Sequence, residues 1–257
     1  SLMTKIRIDP EVWNLLERRA REMTKFDPKS ISSMLWAFAK VQNKAVRRYT
    51  LFNHFANLDI THIDKFNSQE ISNTLWSYAT VGHSSPELFE AAAEEAIKKI
   101  NSFKPQAMCN MLWSYATVSH NSPKLFDTVA EEAIMKVHAF KSQEISNMLW
   151  SYATVGHRSP ELFDALAEEA IKKLSTFRPQ AICNTVWSYA TAGYYSPELF
   201  DAVAHEGVKT LNKYNSQAIS NTLWSYAKLG HSIPHFLDAA AAEVIKRLHA
   251  FNSQDIS

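Results

Sequence analysis

Tryptophan recurs in this chain at one interval: Trp76, Trp113, Trp150, Trp187 and Trp224 are each 37 residues apart. The flanking text recurs with it, FNSQEISNTLWSYATVGHSSPELFEAAAEEAIKKINS at 66–102 against FKSQEISNMLWSYATVGHRSPELFDALAEEAIKKLST at 140–176. A period between about 20 and 50 residues marks a solenoid, a propeller or an array, each unit being one motif that leans on its neighbours. Five regular units run 66–102, 103–139, 140–176, 177–213 and 214–250. Trp36 belongs to an irregular unit, 26–65, three residues longer. A half-repeat fills 1–25, where Pro10-Glu11-Val12-Trp13 corresponds to Pro86-Glu87-Leu88-Phe89. FNSQDIS at 251–257 opens a truncated unit, which predicts that the natural protein continues past Ser257.

Each unit reads as two helices. In the first, Ile71, Leu75, Tyr78 and Ala79 fall at i, i+4, i+7 and i+8, one face of a 3.6-residue period. Ser68, or Pro105 and Pro179 in alternate units, stands where a cap or first-turn residue belongs, and Gly82 follows the last turn. The second opens with Ser85-Pro86-Glu87, a cap, a first-turn proline and a carboxylate on the positive end of the helix dipole. Leu88, Phe89, Ala92, Ala93, Ala96, Ile97 and Ile100 make its apolar stripe, and Lys98 and Lys99 suit its C-terminus. Strand alternation is missing, which excludes a four-stranded propeller blade. A lone hairpin of this size cannot bury its apolar face. The prediction is an all-α chain forming one α-solenoid of stacked helix-turn-helix repeats over 1–257.

Composition narrows the function. Lys+Arg 27 against Asp+Glu 26 leaves a net charge of +1, so this is no supercharged nucleic-acid binder. Five glycines leave no Gly-rich phosphate loop, and two cysteines build no disulfide framework. No apolar run approaches the roughly 18 residues of a membrane span. Cys109 and Cys183 alternate with Ser72, Ser146 and Ser220 at one site and read as small packing residues. His83, His120, His157 and His231 recur at the turns, too far apart for metal-ligand spacing, and read as turn-capping residues. No catalytic constellation emerges, so no enzyme activity, metal or cofactor is expected.

The series Phe66, Gln69, Ile71, Asn73, Leu75-Trp76-Ser77-Tyr78-Ala79, a short turn, then Ser85-Pro86-Glu87-Leu88-Phe89, resembles octotricopeptide repeats and their 37-residue heptatricopeptide relatives. The resemblance covers 66–250 well and 10–65 loosely. It implies a right-handed solenoid of helical hairpins that binds single-stranded or structured organellar RNA in mitochondria or plastids. Such proteins act in RNA maturation, stability, translation or ribosome assembly. The partners implied are RNA and ribosomal or other ribonucleoprotein proteins, with no membrane. The period is one residue short of the octotricopeptide norm, and the Pro-Pro-Pro-Glu-Trp signature of that family stands here as Ser84-Ser85-Pro86-Glu87-Leu88-Phe89. Both departures favour the heptatricopeptide branch.

On a helical wheel Gln69, Asn73, Ser77 and Thr80 gather opposite the apolar face, and the set recurs at Gln106/Asn110/Ser114/Thr117, Gln143/Asn147/Ser151/Thr154 and Gln180/Asn184/Ser188/Thr191. The fifth unit keeps Gln217, Asn221 and Ser225 but carries Lys228. Amides offer both hydrogen-bond senses and suit the edges of unstacked bases, or else tie adjacent hairpins through backbone carbonyls. Variable positions beside them are candidates for base readout: Glu70, and the series Thr74, Met111, Met148, Thr185 and Thr222. Their variation is narrow, which predicts a target of low sequence complexity or recognition through backbone and shape. The loop cations Lys104, Lys141 and Arg178 are candidates for phosphate contact, whereas Lys98/Lys99 and Lys172/Lys173 read as ordinary helix-end charges. Trp76 and its equivalents could offer stacking platforms for bases, but they are expected to pack between successive first helices. Two functions fit: a single-stranded RNA-binding repeat protein, and a protein-protein scaffold within a larger assembly.

Overall fold

The computed structural model describes residues 11, 15, 18–20, 22, 27–40 and 49–248. The expected further unit at 251–257 lies outside them, as does most of the half-repeat at 1–25. Among residues 27–40 and 49–248 there is no strand; five short 3-10 turns accompany twelve α-helices. In chain order they are α1 Pro28–Lys40, α2 Tyr49–His62, α3 Ser68–Val81, α4 Pro86–Lys98, α5 Pro105–Thr117, α6 Pro123–Met135, α7 Ser142–Val155, α8 Pro160–Lys173, α9 Pro179–Ala192, α10 Pro197–Thr210, α11 Ser216–Leu229 and α12 Pro234–Lys246. The fold is an all-α solenoid. It comprises two compact units, 1–125 and 126–257.

Within unit 1 the first helices α1, α3 and α5 pack in succession, and α2 packs on α4. Within unit 2, α7, α9 and α11 form one layer and α8, α10 and α12 the other. The hydrogen bond that locks each layer to the other comes from the tyrosine of the repeated Trp-Ser-Tyr. The hydroxyl of Tyr78 donates to the carbonyl of Phe52 at 2.8 Å, and Tyr115 donates to Phe89 at 2.6 Å. In unit 2, Tyr152 donates to Phe126 at 2.7 Å, Tyr189 to Phe163 at 2.5 Å and Tyr226 to Phe200 at 2.7 Å. Each phenylalanine ring meets its tyrosine edge to face, for example at 5.0 Å between Phe126 and Tyr152. A buried phenol needs a partner, and the repeat supplies one at every level.

The helix boundaries follow local chemistry. Asn67 caps α3, its Oδ1 accepting from the amides of Gln69 and Glu70 at 3.0 Å each, while Glu70 Oε2 accepts from the Asn67 amide at 2.9 Å. The cap is thus one residue earlier than Ser68, which is already helical. The helices α3, α7, α9 and α11 end on Gly82, Gly156, Gly193 and Gly230, all left-handed with φ between 66° and 73°. Ser119 adopts the same conformation after α5, with φ 55°, and its side chain is strained there in a way glycine is not. Ser119→Gly is expected to raise stability by about 1 kcal/mol, read as a higher urea midpoint at unchanged slope.

The turn histidines reach back to the preceding hairpin. His157 Nε2 lies 2.8 Å from Asp127 Oδ1, and His231 Nε2 lies 2.9 Å from Asp201 Oδ1. His83 meets Asn53 at 2.5 Å instead. Their backbone amides also close the first helices, as when His157 donates to the Tyr152 carbonyl at 3.1 Å. They are turn residues as expected, with a second role between repeats that the spacing alone did not disclose.

Candidate functional site

Within each unit the first helices leave a narrow strip in solvent. Gln69, Gln106, Gln143, Gln180 and Gln217 are exposed, and Asn73, Asn110, Asn147, Asn184 and Asn221 are half-buried. Trp76, Trp113, Trp150 and Trp187 are half-buried, while Trp36 and Trp224 are exposed. Thr117 and Thr154 are exposed; Thr80 and Thr191 are half-buried. Glutamine, asparagine, tryptophan and threonine stand at i, i+4, i+7 and i+11, which at about 100° per residue confines them to roughly 60° of the helix surface. The strip is uncharged apart from Lys29 and Lys40 of α1, which stand at the glutamine and threonine positions, and Lys228, which replaces threonine in α11.

Amides in the strip are ordered within their own helix. Gln69 Nε2 donates to Asn73 Oδ1 at 2.8 Å, and Gln143 Nε2 donates to Asn147 Oδ1 at 2.9 Å. This pairing uses one donor of the glutamine and the acceptor of the asparagine. Glutamine Oε1 still has acceptor capacity and asparagine Nδ2 still has donor capacity, so each pair presents both senses.

Several candidates lie elsewhere. Ser77, Ser114, Ser151, Ser188 and Ser225 are buried and donate to the carbonyls of the asparagines four residues earlier, at 2.6 to 2.8 Å. They cannot line the strip, because their side of the helix is buried and their hydroxyls are spent on its backbone. Thr74, Met111, Met148, Thr185 and Thr222 are also buried, at 0 to 2% exposure. Thr185 and Thr222 donate to the carbonyls of Ala181 and Ala218. Their narrow variation is a packing variation, and a base-reading role is incompatible with that burial. Glu70 belongs to the cap of α3, and Glu144 Oε2 accepts the Lys141 amide in the same way at 2.8 Å.

Lys104, Lys141 and Arg178 are exposed N-cap residues of α5, α7 and α9. Their cationic side chains sit at helix ends whose amides and dipole already favour an anion. The Lys-Lys pairs divide instead. Lys98 and Lys172 are exposed, but Lys99 and Lys173 are turned inward. Lys99 Nζ donates to the carbonyls of Asp64 at 2.6 Å and Phe66 at 2.9 Å and pairs with Glu95 at 2.8 Å. Lys173 does the same with His138, Phe140 and Glu169. These contacts hold the Glu95 and Glu169 carboxyls below the usual range, with the lysine bonds the main cause.

The indoles follow one another along unit 1, the first pair tilted and the second closer to parallel. Trp36 and Trp76 have ring centroids 6.4 Å apart, and Trp76 and Trp113 are 6.4 Å apart at 29° between planes. They pack between successive first helices as expected, yet keep part of their surface in the strip. Lys40 Nζ lies over both Trp36 and Trp76, at 5.4 and 4.7 Å from the centroids. In unit 2, Lys228 Nζ lies 4.6 Å from the Trp224 centroid. The wheel places tryptophan between the polar stripe and Ser72 and groups serine with the amides; the structure exchanges the two, with serine buried and tryptophan at the strip. The signal was present in the i, i+4, i+7 spacing of Gln69, Asn73 and Trp76.

Among the described residues no cluster of His, Cys, Asp and Glu could hold a metal. Burial pushes the Cys183 thiol up to about 11, which keeps it protonated and poorly nucleophilic.

A run of helical hairpins with a solvent-facing strip of amides and indoles defines a helical-repeat protein. The chain matches the family model described as RNA-editing substrate-binding complex 6 protein over residues 2–102 and 95–235. It belongs to that family. No curated protein matches the chain.

Proposed function

We propose that this protein binds single-stranded RNA through the exposed strip of its first helices, as a non-catalytic component of a mitochondrial RNA-editing assembly. One observation carries the reading: amides of both hydrogen-bond senses recur on the same solvent face of successive helices, beside cationic N-caps. Unstacked bases present mixed donors and acceptors, and phosphates suit the helix ends. The family's description supports RNA-editing complexes as the setting, and the repeat resembles heptatricopeptide units. Protein partners in the same assembly are expected as well. The near-neutral charge would also suit a scaffold that contacts protein alone.

Titration of labelled single-stranded RNA at several salt concentrations tests this. Binding should weaken with salt, with a log-log slope that becomes less steep by about 2 when Lys104, Lys141 and Arg178 are all replaced by Ala, at about 0.7 per phosphate contact. Absence of binding to any oligomer would leave the scaffold reading in place of this one.

A further inference from the structure

We infer that the indole stripe, and not the cationic N-caps, supplies most of the RNA affinity, by stacking bases against Trp76 and Trp113 over Thr80. This rests on the RNA reading above and assigns the tryptophans a binding role. Three observations converge. The stripe is built for packing and yet leaves its rings partly in solvent: Trp76 and Trp113, each between two first helices or at their edge, are only half-buried, although an indole has more area to gain from burial than almost any side chain. The ring faces can be reached from the strip, since the Lys40 ammonium already sits over two of them at once. At the next level of unit 1 the residue equivalent to Lys40 is Thr80, too short to cover the pair Trp76 and Trp113.

The neighbours of this pair fit a nucleobase. Asn73 and Gln69 stand on the same face of α3 as Trp76, so a ring lying on the indole has amide donors and acceptors along its edge. A π-face accepts any base, which agrees with five regular repeats that keep glutamine, asparagine and tryptophan unchanged in the strip. Lys104 caps α5, the helix bearing Trp113, and can neutralise a phosphate of the nucleotide so held. Stacking on an aromatic side chain is a strong, sequence-tolerant contact in single-strand binders.

The test uses the full chain with a 12-nucleotide single-stranded RNA and an abasic ribose-phosphate oligomer of the same length. Expected results are quenching of tryptophan fluorescence by the RNA and at least tenfold weaker binding of the abasic oligomer. Trp113→Leu should lose about tenfold in affinity, and Trp113→Phe should recover most of it, with helicity and thermal midpoint checked for each. Equal binding of the abasic oligomer overturns the stacking inference while leaving the RNA reading intact; no binding of either overturns both. An arginine-rich peptide that quenches the indoles where RNA does not would assign the stripe to a cationic protein partner and overturn the inference too. If Trp113→Leu fails to fold, the comparison of the two oligomers on the unaltered chain still decides.

Discussion

Lys99→Met should destabilise the protein by about 2 to 4 kcal/mol, whereas Lys98→Met, one residue away, should cost less than about 0.5 kcal/mol. The asymmetry comes from what each ammonium touches. Lys98 is largely in solvent and makes one i,i+3 pair with Glu95 at 3.1 Å. Lys99 is 30% exposed, and its Nζ bridges two carbonyls of the short turn before α3 to the nearly buried Glu95. Methionine keeps the apolar stem but removes all three contacts. It leaves the Glu95 carboxylate, 8% exposed, with only the outer lysine. Charge-assisted bonds are worth more than neutral ones, and an under-compensated buried charge adds to the loss. Urea unfolding monitored by circular dichroism separates the two variants. Equal midpoints for both would mean that the inward lysine is only another solvated helix-end charge.

That pair shows how far the sequence could be read. The repeat, the two helices per unit, the glycine stops and the Ser-Pro-Glu starts were all legible, because each depends on a few residues at fixed local spacing. The amide strip was legible too, since a helix face is set by period alone. The inward turn of Lys99 was not: adjacent lysines look alike until the preceding repeat supplies carbonyls for one of them. Thr74, Met111, Met148, Thr185 and Thr222 failed for a related reason. Their side of the wheel is covered by the neighbouring first helix, and a single-helix wheel holds no neighbour. Tryptophan packing between first helices was legible from its size, whereas the part of each ring left in solvent was not, because it depends on how closely neighbouring helices approach.

Asp59 should make the protein lose stability as pH rises from about 4 to about 8, by up to about 4 kcal/mol at neutral pH. Its carboxyl is fully buried in α2, at a position where later repeats carry Ala96, Ala133 and Ala170. Oδ1 has no hydrogen-bond partner, and Oδ2 has only the Tyr78 hydroxyl at 3.4 Å, a group already committed to the Phe52 carbonyl at 2.8 Å. Burial therefore pushes the acid up to about 8, with the tyrosine bond opposing it weakly. In this window the folded state holds a proton that the unfolded state has released, so the unfolding free energy falls by about 1.4 kcal/mol per pH unit. Glu95 and Glu169 act in the other direction and elsewhere: their depressed acidities contribute stability that is lost only as pH falls below the usual carboxylate range. The two limbs place maximum stability in mild acid. Asp59→Ala restores the residue of the regular repeats, and Asp59→Asn keeps the shape without the titration. Both should flatten the neutral limb and raise stability at pH 8. A wild-type chain with constant unfolding free energy between pH 5 and 8 would show that Asp59 is hydrated or paired in the folded state.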